Sequence, residues 1–96
     1  MRPASLVDRA EEISARLANL GNARRFAIMC HLAESELSVG ALAERVGLSQ
    51  SALSQHLAKL RASGLVETRR DRQMIYYSCA PGPMPELLAI LDRLFP

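Results

Sequence analysis

Through residue 63 the apolar residues of this chain return at every third or fourth position, and the rhythm changes only after Gly64. Leu6, Ala10, Ile13, Leu17 and Leu20 keep that spacing and predict an amphipathic helix, with Ser5 as its N-cap and Gly21 as its end. Asn22 can cap a second helix, Ala23 to about Ala33, with Phe26, Ile28, Met29 and Leu32 on its apolar face. Glu34 to Leu37 reads as a polar link. Ser38 caps a short helix, Val39 to Val46, that turns Leu42, Ala43 and Val46 inward. Gly47 supplies the backbone freedom of a sharp turn, and Leu48 plugs that turn into the core. Ser49 then caps a helix from Gln50 to about Ser63, which Gly64 stops.

The rhythm next shortens to that of extended chain. Leu65–Arg70 and Gln73–Cys79 are rich in Val, Thr, Ile and Tyr, flank Asp71–Arg72, and predict a two-stranded hairpin, although its turn carries no glycine. Pro81, Gly82, Pro83 and Pro85 interrupt the chain. A last helix, from about Met84 or Glu86 to Phe95, presents Leu87, Leu88, Leu91, Leu94 and Phe95. The fold class is therefore mainly α with a small β-hairpin: four helices, two strands and a final helix in one domain spanning residues 1–96. A helix-turn-helix followed at once by a basic hairpin is a winged helix-turn-helix.

The helix 50–63 has the face of a duplex reader. On a wheel at about 100° per residue, Leu53, Leu57 and Leu60 lie within about 60° of one another and face the core. The far side holds Ser51, Gln55, Ala58 and Ala62, flanked by Ser54 and Lys59, and no acidic residue. Ser, Gln and Lys can donate to phosphates or base edges, and Gln can pair bidentately with adenine in the major groove. Small side chains at Ser51, Ser54 and Ala58 let the helix axis approach the groove floor. Backbone amides at Gln50 and Ser51 suit a phosphate. Any solvated helix face can be polar, so the neighbours matter. Ala43 permits a close crossing of the two helices, and Arg69, Arg70 and Arg72 crowd the hairpin tip, where they can grip phosphates or enter the minor groove. The expected DNA-contacting set is Ser49, Gln50, Ser51, Ser54, Gln55 and Lys59 from the helix, with Arg69, Arg70, Arg72 and Gln73 from the hairpin.

Charge sharpens this picture. The net charge is only +2, but residues 1–48 balance their arginines with carboxylates, while residues 49–78 carry five cations against Glu67 and Asp71. The excess thus falls on the segment with the reader and the hairpin, as a polyanionic partner requires. A hydrophobic share of 49% with four aromatics and no Trp gives an aliphatic core. Two cysteines without a signal peptide, and no apolar run near the roughly 18 residues of a membrane span, lead us to expect a soluble cytoplasmic protein with no membrane partner. No nucleophile pairs with a base, no Gly-rich loop cradles phosphate, and no acid pair converges, so an enzyme is not expected.

Two stretches, LGNARRFAIMCHL (20–32) and LSVGALAERVGLSQSALSQHLAKLRASGLVETRRDRQMIYYS (37–78), resemble the ArsR/SmtB family of bacterial winged-helix repressors. The resemblance implies a homodimer that binds a pseudo-palindromic operator in double-stranded DNA and blocks a promoter. It also directs attention to the family's sensor sites. Where the family's Cys-Val-Cys metal motif would stand, this chain has Ser38-Val39-Gly40, and its last helix has Glu86 and Asp92 but no His. No metal or other cofactor is expected, and His56 is expected as a packed histidine. The sulfide-responsive branch pairs a cysteine near Cys30 with one on the last helix; here no cysteine follows Cys79. Cys30 and Cys79 remain as possible redox residues, and a bridge between them needs Cα atoms within about 7 Å.

The terminal helices, 5–20 and 84–95, carry more apolar residues than one small core needs. Leu6, Ile13, Leu17, Leu88, Leu91, Leu94 and Phe95 are the expected dimer interface. The leading functional reading is a DNA-binding transcriptional repressor without metal sites. A thiol-responsive repressor using Cys30 and a winged-helix protein-interaction module are the alternatives.

Overall fold

The computed structural model describes residues 2–96. A 3-10 segment, Pro3–Arg9, leads into α1 (Ala10–Leu20) and α2 (Ala23–Glu34). A two-residue strand, β1 (Leu37–Ser38), precedes α3 (Val39–Val46) and α4 (Gln50–Ala62). The hairpin is β2 (Val66–Asp71) and β3 (Met74–Cys79), and α5 (Pro83–Leu94) closes the chain. This is a winged helix-turn-helix. No helix among the described residues is long and apolar enough to cross a membrane.

Local chemistry sets most of the helix boundaries. The Asn22 side chain accepts from the amides of Arg24 and Arg25 at 3.0 and 3.1 Å and opens α2. Ser38 Oγ accepts from the Ala41 amide at 3.3 Å, and Ser49 Oγ from the Ala52 amide at 3.1 Å. Between α3 and α4, Gly47 takes φ +70°, and the amides of Gly47 and Leu48 both donate to the Ala43 carbonyl, at 2.9 and 3.1 Å. That left-handed residue lets the chain reverse in the few residues a helix-turn-helix allows.

Ile28 and Met29 of α2, Leu42 of α3, and Leu53, Leu57 and Leu60 of α4 are fully buried and form the centre of the core. Burying each such side chain stabilises the fold by roughly 1.5–3 kcal/mol. Leu37, Leu65, Val66, Met84 and Leu88 extend that core to the sheet and α5.

Four sequence expectations change here. Ser5 is not the N-cap of α1: its hydroxyl donates to the Arg2 carbonyl at 2.8 Å, inside the separate 3-10 segment. No residue of that segment is buried, and the backbone leaves helical geometry at Arg9, φ −116° and ψ 20°, before α1 begins. The link 34–37 ends in a strand: β1 pairs antiparallel with β3, Leu37 opposite Tyr77 and Ser38 opposite Tyr76, giving the order β1-β3-β2. The hairpin tip sits one residue later than expected. Asp71 pairs with Met74, leaving Arg72 and Gln73 as the loop, with Arg72 at φ +60°. Leu88, expected in a dimer interface, is only 9% exposed and belongs to the protomer's own core, because one turn of α5 leans directly on it.

Candidate nucleic-acid interface

Leucines root α4 on one side and leave the other side bare. Leu53, Leu57 and Leu60 have 0–1% exposure, whereas Ser51, Ser54, Gln55, Ala58 and Lys59 are exposed. Among the described residues, no salt bridge involves Lys59, Arg70 or Arg72. Ser49 is exposed as well, but its hydroxyl is occupied in capping α4. Gln50 is exposed at the first turn, where its amide nitrogen lies against the backbone of Gly40; a Cβ there would approach it to 3.8 Å.

The wing differs from the expectation at one arginine. Arg69 does not extend freely: its Nε and Nη2 contact both Glu36 carboxylate oxygens at 2.7–2.9 Å, and its guanidinium lies 4.8 Å from the centre of the Tyr76 ring. The fork matches the carboxylate geometry. Arg69 stands opposite Tyr76 in the ladder, and Glu36 immediately precedes β1, so this contact ties the wing to the entrance of α3. The bond holds the Glu36 carboxyl below its ordinary value and raises Arg69. Glu36 is the residue that sequence reasoning passed over; nothing in a polar link marks which carboxylate will meet a strand. At the tip, Arg70 and Arg72 are exposed, and Arg70 Nε donates to the Arg72 carbonyl at 3.1 Å, folding over the loop. Gln73 is exposed beside them.

His56 occupies the flank of α4 that faces α2. Arg25 Nη1 lies 3.4 Å from His56 Nδ1, and Arg25 Nε donates to the Asn19 carbonyl at 3.0 Å. Asn19 in turn donates from Nδ2 to Ser63 Oγ at the end of α4. Partial burial and then the charges of Arg25, Lys59 and Arg24 push His56 below the usual imidazole value. Arg24 and Arg25 were not singled out from the sequence; the only available signal was two consecutive arginines after the Asn22 cap.

The cysteines are both free thiols, so Cys30 and Cys79 are not bridged. Cys30 lines an apolar recess of about 370 Å³ with Phe26, Leu88, Leu91, Asp92 and Phe95. Burial, then Glu34, then Asp92 raise its pKa; burial alone raises that of Cys79. Beside Cys30 the recess holds the Asp92 carboxylate, which disfavours the reactive thiolate.

The terminal helices leave apolar residues uncovered. Leu6, Leu17, Leu94 and Phe95 are 44%, 48%, 66% and 76% exposed, and Val7, which the sequence reading passed over, is 68% exposed. Ile13 and Leu91 are half-buried.

Comparison with known proteins agrees with this architecture. Residues 22–68 match the family described as bacterial regulatory protein, arsR family. The nodulation protein NolR of Rhizobium meliloti is 49% identical over 86 residues, covering 90% of this chain and 70% of that protein. The crystal structure of NolR from Sinorhizobium fredii superposes with a TM-score of 0.86 at 45% identity, covering 99% of this chain and 94% of that one. The transcriptional repressor BigR from Xylella fastidiosa gives 0.91 at 36% identity, covering 100% and 98%. The homodimeric winged helix-turn-helix domain of Mb0332 from Mycobacterium bovis gives 0.81 at 32% identity, covering 97% and 83%. The chain belongs to the ArsR family of bacterial transcriptional regulators.

Proposed function

We propose that this regulator is a cytoplasmic repressor that binds an inverted repeat in double-stranded DNA as a homodimer and works without a metal ion. The observation that carries the reading is the two-sidedness of α4. Its leucines anchor it so firmly that Ser51, Ser54 and Gln55 form an exposed, carboxylate-free ridge on a rigid support. Such a ridge suits the major groove, with Gln55 and the serines at base edges and Lys59, Arg70 and Arg72 at phosphates. Arg69 then acts indirectly, holding the wing against Glu36 so that the tip arginines are presented at a fixed height. Ser49 serves as the cap that points the first amides of α4 outward.

The dimer reading rests on Leu6, Leu17, Leu94 and Phe95, exposed on the terminal helices, and on the homodimeric state named for Mb0332. A two-fold would set the reader helices about one DNA turn apart, roughly 34 Å. Repression is the role named for BigR. Metal independence is supported at the residue level: at positions 38–40 Ser38 is a helix cap rather than a thiolate ligand. Selection of bound duplexes from a random pool, repeated with oxidant and with zinc, tests the symmetric site and its independence of metal and redox state. The expected product is a two-fold symmetric site that neither addition alters. An unsymmetrical consensus, or release by either addition, overturns the corresponding part.

A further inference from the structure

Among the described residues, no salt bridge involves the cations flanking α4 toward α2. Arg24 and Arg25 lie in the first turn of α2, and Lys59 lies one turn along α4 from His56, about 60° from it around the helix. Arg16–Glu12 and Arg69–Glu36 are the salt bridges among the described residues, and neither touches this cluster. Arg24 and Lys59 are exposed, Arg25 and His56 half-buried. Arg25 is moreover positioned: Asn19 holds its Nε, and its Nη1 rests 3.4 Å from His56 Nδ1. Arginine can only donate, so this contact fits a neutral imidazole with Nδ1 as the acceptor. A positioned arginine on a neutral imidazole, bordered by two further cations and no carboxylate, is a site prepared for an anion.

We propose that Arg24, Arg25, Lys59 and His56 form a clamp for a backbone phosphate of the bound duplex, on the flank of α4 away from the wing. The proposal rests on the DNA-binding reading above and extends it to α2. Lys59 borders both the reader ridge and this cluster, so a duplex whose groove receives Gln55 carries a phosphate strand past this flank. His56 gives the clamp a pH dependence. The charges and polar groups that face it are Arg24 and Arg25 from α2, Lys59 from α4, and Asn19 and Ser63 at the edge. In the free protein partial burial first, and then the cations, hold its pKa below the ordinary 6.5. A phosphate among them offsets the cations' part of that shift, because an anion favours imidazolium. Binding then turns Arg25 from Nδ1 to the phosphate and puts a proton on the freed ring nitrogen, so affinity rises as pH falls through the interval between the free and bound pKa values.

Anisotropy titrations of the intact protein with a mixed-sequence duplex of about three helical turns test the clamp. In Arg24→Gln the slope of log affinity against log salt is expected to fall by about two per dimer, one phosphate contact from each protomer. Arg24 makes no side-chain contact that folding needs, and circular dichroism checks this. Wild-type affinity is expected to rise several-fold between about pH 7.5 and about pH 6, and His56→Gln to remove that rise while keeping the base preference. An unchanged salt slope in Arg24→Gln, with wild type still binding, overturns the clamp and leaves the reader intact. A His56→Gln profile that follows wild type removes His56 from it. Failure of wild type to bind any duplex overturns both.

Discussion

The leucines of α4 and those of the terminal helices have the same periodicity but opposite fates. Leu53, Leu57 and Leu60 are sealed at 0–1% exposure by α2, α3 and the sheet. Leu6, Leu17 and Leu94, on the terminal segments, remain 44–66% exposed. The difference is geometric. α4 runs between other elements of the chain, whereas the 3-10 segment, α1 and α5 lie at the edge, where among the described residues Leu6, Leu17, Leu94 and Phe95 stay exposed. An apolar stripe therefore reports that a face will be covered and not by what. The reader helix is held by its own chain; the terminal helices suit a second copy.

Cutting into the first region should have the largest effect. Leu57→Ala removes a fully buried side chain under the reader and is expected to cost about 2–5 kcal/mol of stability, read as a drop in thermal midpoint. A loss under 1 kcal/mol would mean that the support of α4 is looser than its burial implies.

The terminal face should respond in assembly instead. The double change Leu94→Asp, Phe95→Asp touches residues 66% and 76% exposed, so the protomer fold should persist by circular dichroism. Sedimentation should show monomers, and operator affinity should fall at least about a hundredfold as two half-sites cease to be held together. If sedimentation is unchanged, this face is not the interface.

Gln55→Ala sharpens the comparison from the outside of α4. Stability should hold within about 0.5 kcal/mol, as for an exposed side chain, while discrimination at the contacted base pair falls by roughly 1–3 kcal/mol. A selected consensus identical to wild type would take Gln55 off the ridge.

The smallest effect is expected at the wing tip. Arg72 holds φ +60° with a full side chain; Arg72→Asn should relieve part of a strain of about 1–2 kcal/mol, raising the thermal midpoint while weakening all duplexes alike. Stabilisation without loss of affinity would show that Arg72 does not reach phosphate.

Much of this molecule is legible in local sequence. Asn22, Ser38 and Ser49 cap the helices they precede, and Gly47 turns where the pattern demands. The reader ridge follows from the wheel alone, because a helix with three leucines on one side must expose the other. The wing's charge was visible, but the separate engagement of Arg69 was not. Its partner Glu36 lies 33 positions away, and the intervening helices decide that the two meet. The same holds for Leu88, whose burial depends on how α5 leans across the core.

The sequence by itself determined where the helices capped by Asn22, Ser38 and Ser49 begin, and which side of α4 faces water, since hydrogen bonds and apolar periodicity act over a few residues. Only the tertiary structure decided that β1 joins the wing, that Glu36 takes Arg69 out of the free cations, and that Arg25 meets His56 across 31 positions. Those contacts depend on the angles at which rigid helices cross, and crossing angles come from the packing of many side chains at once rather than from any short run of residues.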